Sequence, residues 1–187
     1  MVTEDDARVP LVTQEELPDD YRYLFDEDVL GELNLFRSMG HVPRAMQAYM
    51  RYGTALWNAG DLSTRERELA ILSIARTVRA PYEWHQHVAL GREAGISIEE
   101  IEALGRGDDA ALPEREQAIV RYAAAVATGT VIDPLFEAAV EVTDVETVVG
   151  LTMLAGHYLM TARILDSLSV PIDGGEFVGW APEESEP

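Results

Sequence analysis

Three times in this chain a hydroxyl residue is followed three positions later by glutamate and then by an apolar run: Ser63 with Glu66, Ser97 with Glu100, and Thr143 with Glu146. In a capping box of this form the hydroxyl accepts from the amide three residues on, while the glutamate accepts from the cap's own amide, so each pair marks the start of a helix. Between these marks the apolar residues recur at spacings of three and four, and no segment alternates apolar and polar residues long enough to suggest a strand. The expectation is an all-α fold.

The helices follow from the same punctuation. Apolar spacing predicts amphipathic helices from Tyr21 to Met39 and from Pro43 to Trp57, with Pro43 in a first turn and Gly60 as a stop. The Ser63 box opens a helix over about 64–79 that is apolar around most of its circumference and belongs deep in the core. Pro81 starts a helix that Gly95 ends, Ser97 heads a short one to about Leu104, and Pro113 opens one that runs to about Thr128. Asp133 and Pro134 begin a short helix, and the Thr143 box a long apolar one ending near Leu168. Its stretch from Val148 to Met160 is too short for a bilayer and contains His157, so it reads as core or subunit interface. Acids, prolines and short polar residues without a period mark 1–18 and 174–187 as mobile ends around one helical domain, 19–173.

An internal echo runs through this pattern. The residues Glu66 to Ile71, EREL-AI, recur as EREQ-AI from Glu114 to Ile119, 48 residues later, and the Ser97 box recurs 46 residues later at Thr143. Two helical units of similar design are expected to pack together. The counterpart of His87 falls at Asp133 to Leu135, without a histidine, so a site would come from the first unit.

Composition removes several functions. The chain has no cysteine, which excludes disulfides, thiolate metal sites and any sulfur nucleophile. Its 34 acids outweigh 14 bases for a net charge of −20, and every base is arginine. Such a surface repels phosphate backbones and anionic lipid, so neither nucleic acid nor a membrane is an expected partner. The acidity suits a halophilic cytoplasm, where salt screens like charges to within a few ångströms. The start, MVTEDDARVP, carries acids where a secretory signal has a basic end and an apolar stretch, and this points to a cytoplasmic protein.

Chemistry concentrates in PYEWHQHVALGREAG. Glu83 and His87 are one helical turn apart and can share a proton, and Glu68, on the preceding apolar helix, can approach His87 if the two helices form an antiparallel hairpin. Arg79 lies eleven residues after Glu68, close to the same stripe, and Arg76 is about 80° away from it. The same residues also admit an exposed Glu/His ion pair or a structural polar network, with Glu68 answered by an arginine. The H-x-H string of His85 and His87 spans about 200° on a helix and cannot close on one ion. A metal site drawing on Glu83, His87 and His157 stays open as an alternative, as does a packing role for Trp57 and for the tyrosines at 49, 52, 82 and 158.

The run RERELAILSIARTVRAPYEWHQHVALGREAGISIEEIEAL, residues 65–104, resembles the carboxymuconolactone decarboxylase family, which shares its helical fold with the alkylhydroperoxidase D proteins. The likeness extends more weakly to HVPRAMQAYMRYGTAL before it and to GHYLMTARILDSLSVPID near the end. Peroxidase members carry glutamate, C-x-x-C and histidine, the histidine 19 residues after the glutamate; here Glu68 and His87 keep that spacing, while the inner positions are Ala80 and Glu83. The resemblance therefore implies the branch without C-x-x-C, in which glutamate replaces the second cysteine, and thiol peroxidase chemistry cannot operate. It further implies a homo-oligomer, commonly a trimer or hexamer, that needs no cofactor or metal and acts on a small molecule. In the decarboxylase branch carbon dioxide leaves a lactone acid, and a proton must reach ring carbon. Under that reading Glu68, Glu83 and His87 are the candidate catalytic residues, with Arg76, Arg79 and Trp84 binding substrate. The alternative is a non-catalytic oligomeric domain that binds a small molecule.

Overall fold

The computed structural model describes residues 7–26, 29, 31–175 and 177–178, and among them eight α-helices carry the fold and no strand occurs. They are α1 (Asn34–Met39), α2 (Pro43–Leu56), α3 (Thr64–Thr77), α4 (Pro81–Glu93), α5 (Ile98–Gly105), α6 (Glu114–Thr128), α7 (Asp133–Val142) and α8 (Val145–Leu168). The Ser63 and Ser97 boxes form as read, each hydroxyl accepting from the glutamate amide three residues on. At the third box the start is displaced by one residue. Asp144 caps α8 by accepting from the Thr147 amide, while the Thr143 hydroxyl donates back to the Ala139 carbonyl at the end of α7.

The helix expected over Tyr21 to Met39 is two pieces. A 3-10 turn, Asp19–Phe25, ends at Asp26, whose carbonyl accepts from Val29 and Gly31. Gly31 then takes φ +64, and α1 begins only after the extended Leu33. A backbone that passes through the left-handed region cannot carry one continuous apolar stripe, whatever the spacing on either side.

Both ends are also more anchored than their composition suggests. From residue 7 onward the N-terminal segment lies on the body: the Arg8 amide donates to Leu168 and the Val12 amide to Arg37. Val12 and Leu17 are buried in a cluster with Leu35, Phe36, Met46 and Leu165. Two apolar residues in an acidic stretch suffice to hold it, since each buried side chain contributes about 1.5–3 kcal/mol. Near the other end, the Trp84 indole donates to the Val178 carbonyl at 2.7 Å and Phe177 stacks on His85. The readings of residues 1–6 and 179–187 as mobile lie outside the described residues.

The two units are α3–α4–α5 and α6–α7–α8, with α3 and α6 side by side and α8 against both. Reciprocal ion pairs join the N-terminal turns of α3 and α6, Arg65 to Glu116 at 2.9 Å and Arg115 to Glu66 at 2.5 Å. Gly60, at φ +80, lets the loop before α3 touch α8, for a Cβ there would stand 2.5 Å from the Thr147 Cα. The apolar stretch read as too short for a bilayer belongs to a helix of 24 residues, long and apolar enough to cross one by composition. Over half of its apolar window (56%) is nevertheless buried against α2, α3, α4, α6 and α7, so α8 serves as the central helix of the core.

Candidate functional site

The site forms because α3 and α4 make a tight antiparallel hairpin. Arg79 turns the chain in the left-handed conformation, φ 55, and Pro81 starts α4 at once. Gly91 of α4 packs against Leu72 and Glu68 of α3 and against Ile96, whose Cδ1 a Cβ at this position would meet at 3.1 Å. Glu68, Glu83 and His87 are thereby brought together, all three buried. His87 Nδ1 lies 2.7 Å from Glu68 Oε2, a charge-assisted hydrogen-bond distance. On the opposite edge of the ring, Nε2 lies 3.6 Å from Glu83 Oε2, a contact too long for a hydrogen bond.

That gap leaves the Glu83 carboxyl free to carry its own proton. Burial pushes it up to about 7, and the neighbouring His87 lowers it by less than burial raises it. Around the pair stand groups that stay neutral near pH 7. Tyr158, from α8, sets its ring edge-on to His87 at 5.0 Å. Burial, then the charges of Glu83 and Glu68, push its hydroxyl well above its ordinary range, with Trp57 pulling the other way. His157 lies 4.6 Å from the Tyr49 ring and 5.5 Å from that of Tyr158, and burial lowers it to about 4. Its Nδ1 is buried without a hydrogen-bond partner.

The other sequence candidates stand elsewhere. Arg76 and Arg79 lie eight and eleven residues beyond Glu68, at the end of α3 and in the turn that follows it. The Arg76 Nε donates to the Gly105 carbonyl at the end of α5, and Arg79 is exposed at the turn. Trp84 is fully buried in the core beside Leu69, Leu72 and Ile101, with its indole N–H given to Val178. Arg76 and Trp84 thus each donate to a backbone carbonyl. His85 bonds the Gly174 carbonyl on the tail side and His41 that of Pro10. Because Glu68 and Glu83 address opposite nitrogens of His87, the three cannot converge on one ion, and among the described residues no cluster of His, Asp and Glu forms a metal cage.

The arginine that does reach the site is Arg67, which the sequence reading passed over. Its Nε stands 3.7 Å from Glu68 Oε1, its terminal nitrogen donates to the Trp57 carbonyl at 3.0 Å, and its guanidinium lies 5.1 Å over the Trp57 ring. Trp57 is half exposed and thus forms the solvent edge of the site. Arg67 follows Glu66 in R-E-R-E and precedes Glu68, so adjacency in sequence was the available signal. A neighbour on a helix starts about 100° away, and only a long side chain folding over Trp57 returns it.

In sequence, residues 43–125, the segment that contains Glu68, Glu83 and His87, match the model of the carboxymuconolactone decarboxylase family. Solved structures agree on the fold. An uncharacterised peroxidase-related protein of Ralstonia eutropha JMP134 with an alkylhydroperoxidase AhpD core superposes at TM-score 0.80, with 21% identity over 89% of this chain and 92% of that one. A peroxidase-related protein of Silicibacter sp. TM1040 gives 0.78, with 17% identity over 93% and 95%. The debrominase Bmp8 in complex with 2,3,4-tribromopyrrole gives 0.75, with 13% identity over 90% and 94%. No curated protein matches the sequence.

Proposed function

We propose that the protein is a cofactor-free enzyme of proton transfer, decarboxylating a small enolisable carboxylic acid or lactone acid. The observation that carries the reading is Glu83, a buried carboxyl raised to about 7 and held 3.6 Å from an imidazole whose other nitrogen is fixed by Glu68. A general acid works best when it titrates near the working pH. The carbon–carboxylate bond breaks, carbon dioxide leaves, and its electron pair is taken up as an enolate conjugated with the β-carbonyl. The enolate carbon takes the Glu83 proton, and the Glu83 carboxylate regains one from solvent by way of His87. Glu68 holds Nδ1, which keeps Nε2 turned towards Glu83 throughout the cycle.

A purely structural Glu/His network would be expected to close its hydrogen bonds, and the open distance at Glu83 favours the reactive reading. The ligand is a small molecule, and the exposed stripe of Val145, Val149, Met153 and Met160 on α8 supports a homo-oligomer, in keeping with the trimers or hexamers of the family. The test is a panel of β-keto acids and lactone acids assayed for carbon dioxide release at high salt, with wild type and His87→Gln side by side. At least one acid should turn over, and the variant should be slower by a factor of 10² or more. Release from no acid, or equal release by the variant, removes the reading.

A further inference from the structure

The internal repeat provides a control for two side chains of the site, because a shift of 48 residues places Arg67 on Arg115 and Glu68 on Glu116. In the second unit these residues are fully employed. Arg115 gives Nε to Glu66, one terminal nitrogen to the Val142 carbonyl and the other to that of Asp61 at 3.0 Å. Glu116 receives a two-pronged bond from Arg65, at 2.9 and 3.0 Å.

In the first unit the same two residue types are left open. Arg67 makes one bond, to the Trp57 carbonyl, and its Nε is buried with no hydrogen-bond partner. Glu68 spends Oε2 on His87 and keeps Oε1 at 3.7 Å from that Nε, in attraction but not in a bond. A guanidinium held 5.1 Å over the Trp57 ring, beside a buried carboxyl and with a buried N–H unpaired, is a prepared anion receptor.

We infer that Arg67 is the carboxylate-binding residue of this site, holding the anionic group of the ligand at the Trp57 edge while the rest of the molecule lies towards Glu83 and His87. The inference rests on the proposed reading for the identity of the anion as a substrate carboxylate. Electrostatics makes the cation necessary: an entering carboxylate meets Glu68 and Glu83, and in a sheltered site like charges at such range repel strongly unless a cation answers them. Trp57 supplies an aromatic face beside the same spot, so an aryl or other flat conjugated carboxylate is the class that fits.

The test uses the full chain and benzoate as probe, with benzamide as its uncharged counterpart, read by calorimetric titration and thermal shift at low salt. Wild type should bind benzoate and discriminate against benzamide by tenfold or more. Arg67→Gln should lose at least tenfold in benzoate affinity and show no preference between the two. Arg115→Gln is the structural control: it should melt lower and, while folded, bind benzoate as wild type does. If Arg67→Gln does not fold, Arg67→Lys answers the same question by keeping a preference for benzoate at weaker affinity. Equal benzoate binding by wild type and the Arg67 variant, equal binding of benzamide, or no binding to wild type would each overturn the proposal. The two readings fail separately. Binding that depends on Arg67 without turnover of any acid leaves the anion subsite and removes the reaction, whereas His87-dependent turnover with indifferent Arg67 does the reverse.

Discussion

Glu83→Gln changes one atom pair in the core of the site, and its effect on stability can be worked out with its sign. The folded carboxyl titrates at about 7 against an ordinary 4.5, because burial disfavours the charged form. Between those two values the folded state holds a proton that the unfolded chain has released, so stability falls as pH rises through that window and is level above it. The gap corresponds to about 3 kcal/mol for the ionised side chain at pH 8. Glutamine keeps the shape and carries no charge. The variant should therefore match wild type near pH 4.5 and become more stable than it by up to about 3 kcal/mol at pH 8, roughly 6–12 °C in melting temperature for a chain of this size. Urea unfolding of both proteins across pH 4.5–8.5 measures the difference directly. A difference that stays constant across that range, or that grows towards acid, refutes the argument that burial has raised this carboxyl.

Other substitutions test neighbouring steps. His87→Gln should abolish turnover of any acid that wild type decarboxylates while lowering the melting temperature by only a few degrees, since glutamine can still donate to Glu68; a collapse of stability with no turnover in either form favours a structural network. Gly60→Ala combines a left-handed backbone with a Cβ 2.5 Å from the Thr147 Cα and should cost about 3 kcal/mol by chemical denaturation, a loss under 1 kcal/mol arguing against that contact. With a net charge of −20, the melting temperature should rise as potassium chloride goes from 0.1 to 1 M, because the screening length shrinks from about 10 to about 3 Å; a flat or falling curve counts against charge repulsion as a limit on stability.

Much of this architecture was written in local signals. Serine boxes and N-terminal prolines are read by the backbone within four residues, and they placed the starts of α2 through α6 without knowledge of the fold. The Glu68–His87 contact was legible because a short turn between two apolar helices forces an antiparallel hairpin. What escaped depended on local backbone breaks that spacing does not reveal, or on partners distant in sequence. Gly31 breaks a stripe whose spacing alone looks continuous, and the Thr13–Glu16 box repeats the same hydroxyl–glutamate pattern on a mere 3-10 turn. On a continued helix Arg79 would fall about 20° from Glu68 and Arg76 about 80°, but the chain turns at Arg79, and Arg76 gives its Nε to the Gly105 carbonyl. Arg67 entered the site through Trp57, from a different helix end, and Trp84 left it for Val178, nearly a hundred residues on. The repeat, visible as EREL-AI and EREQ-AI, proved most useful where the two copies differ in what their arginines do.

The account depends on a sheltered carboxyl that exchanges its proton near neutrality. Protein labelled with ¹³C at the glutamate carboxyls and titrated by NMR, wild type beside Glu83→Gln, observes that group itself. One carboxyl resonance should titrate close to pH 7 and be missing from the variant. If every glutamate of the wild-type protein has ionised by pH 5.5, Glu83 is an ordinary carboxylate and the proposed acid does not exist.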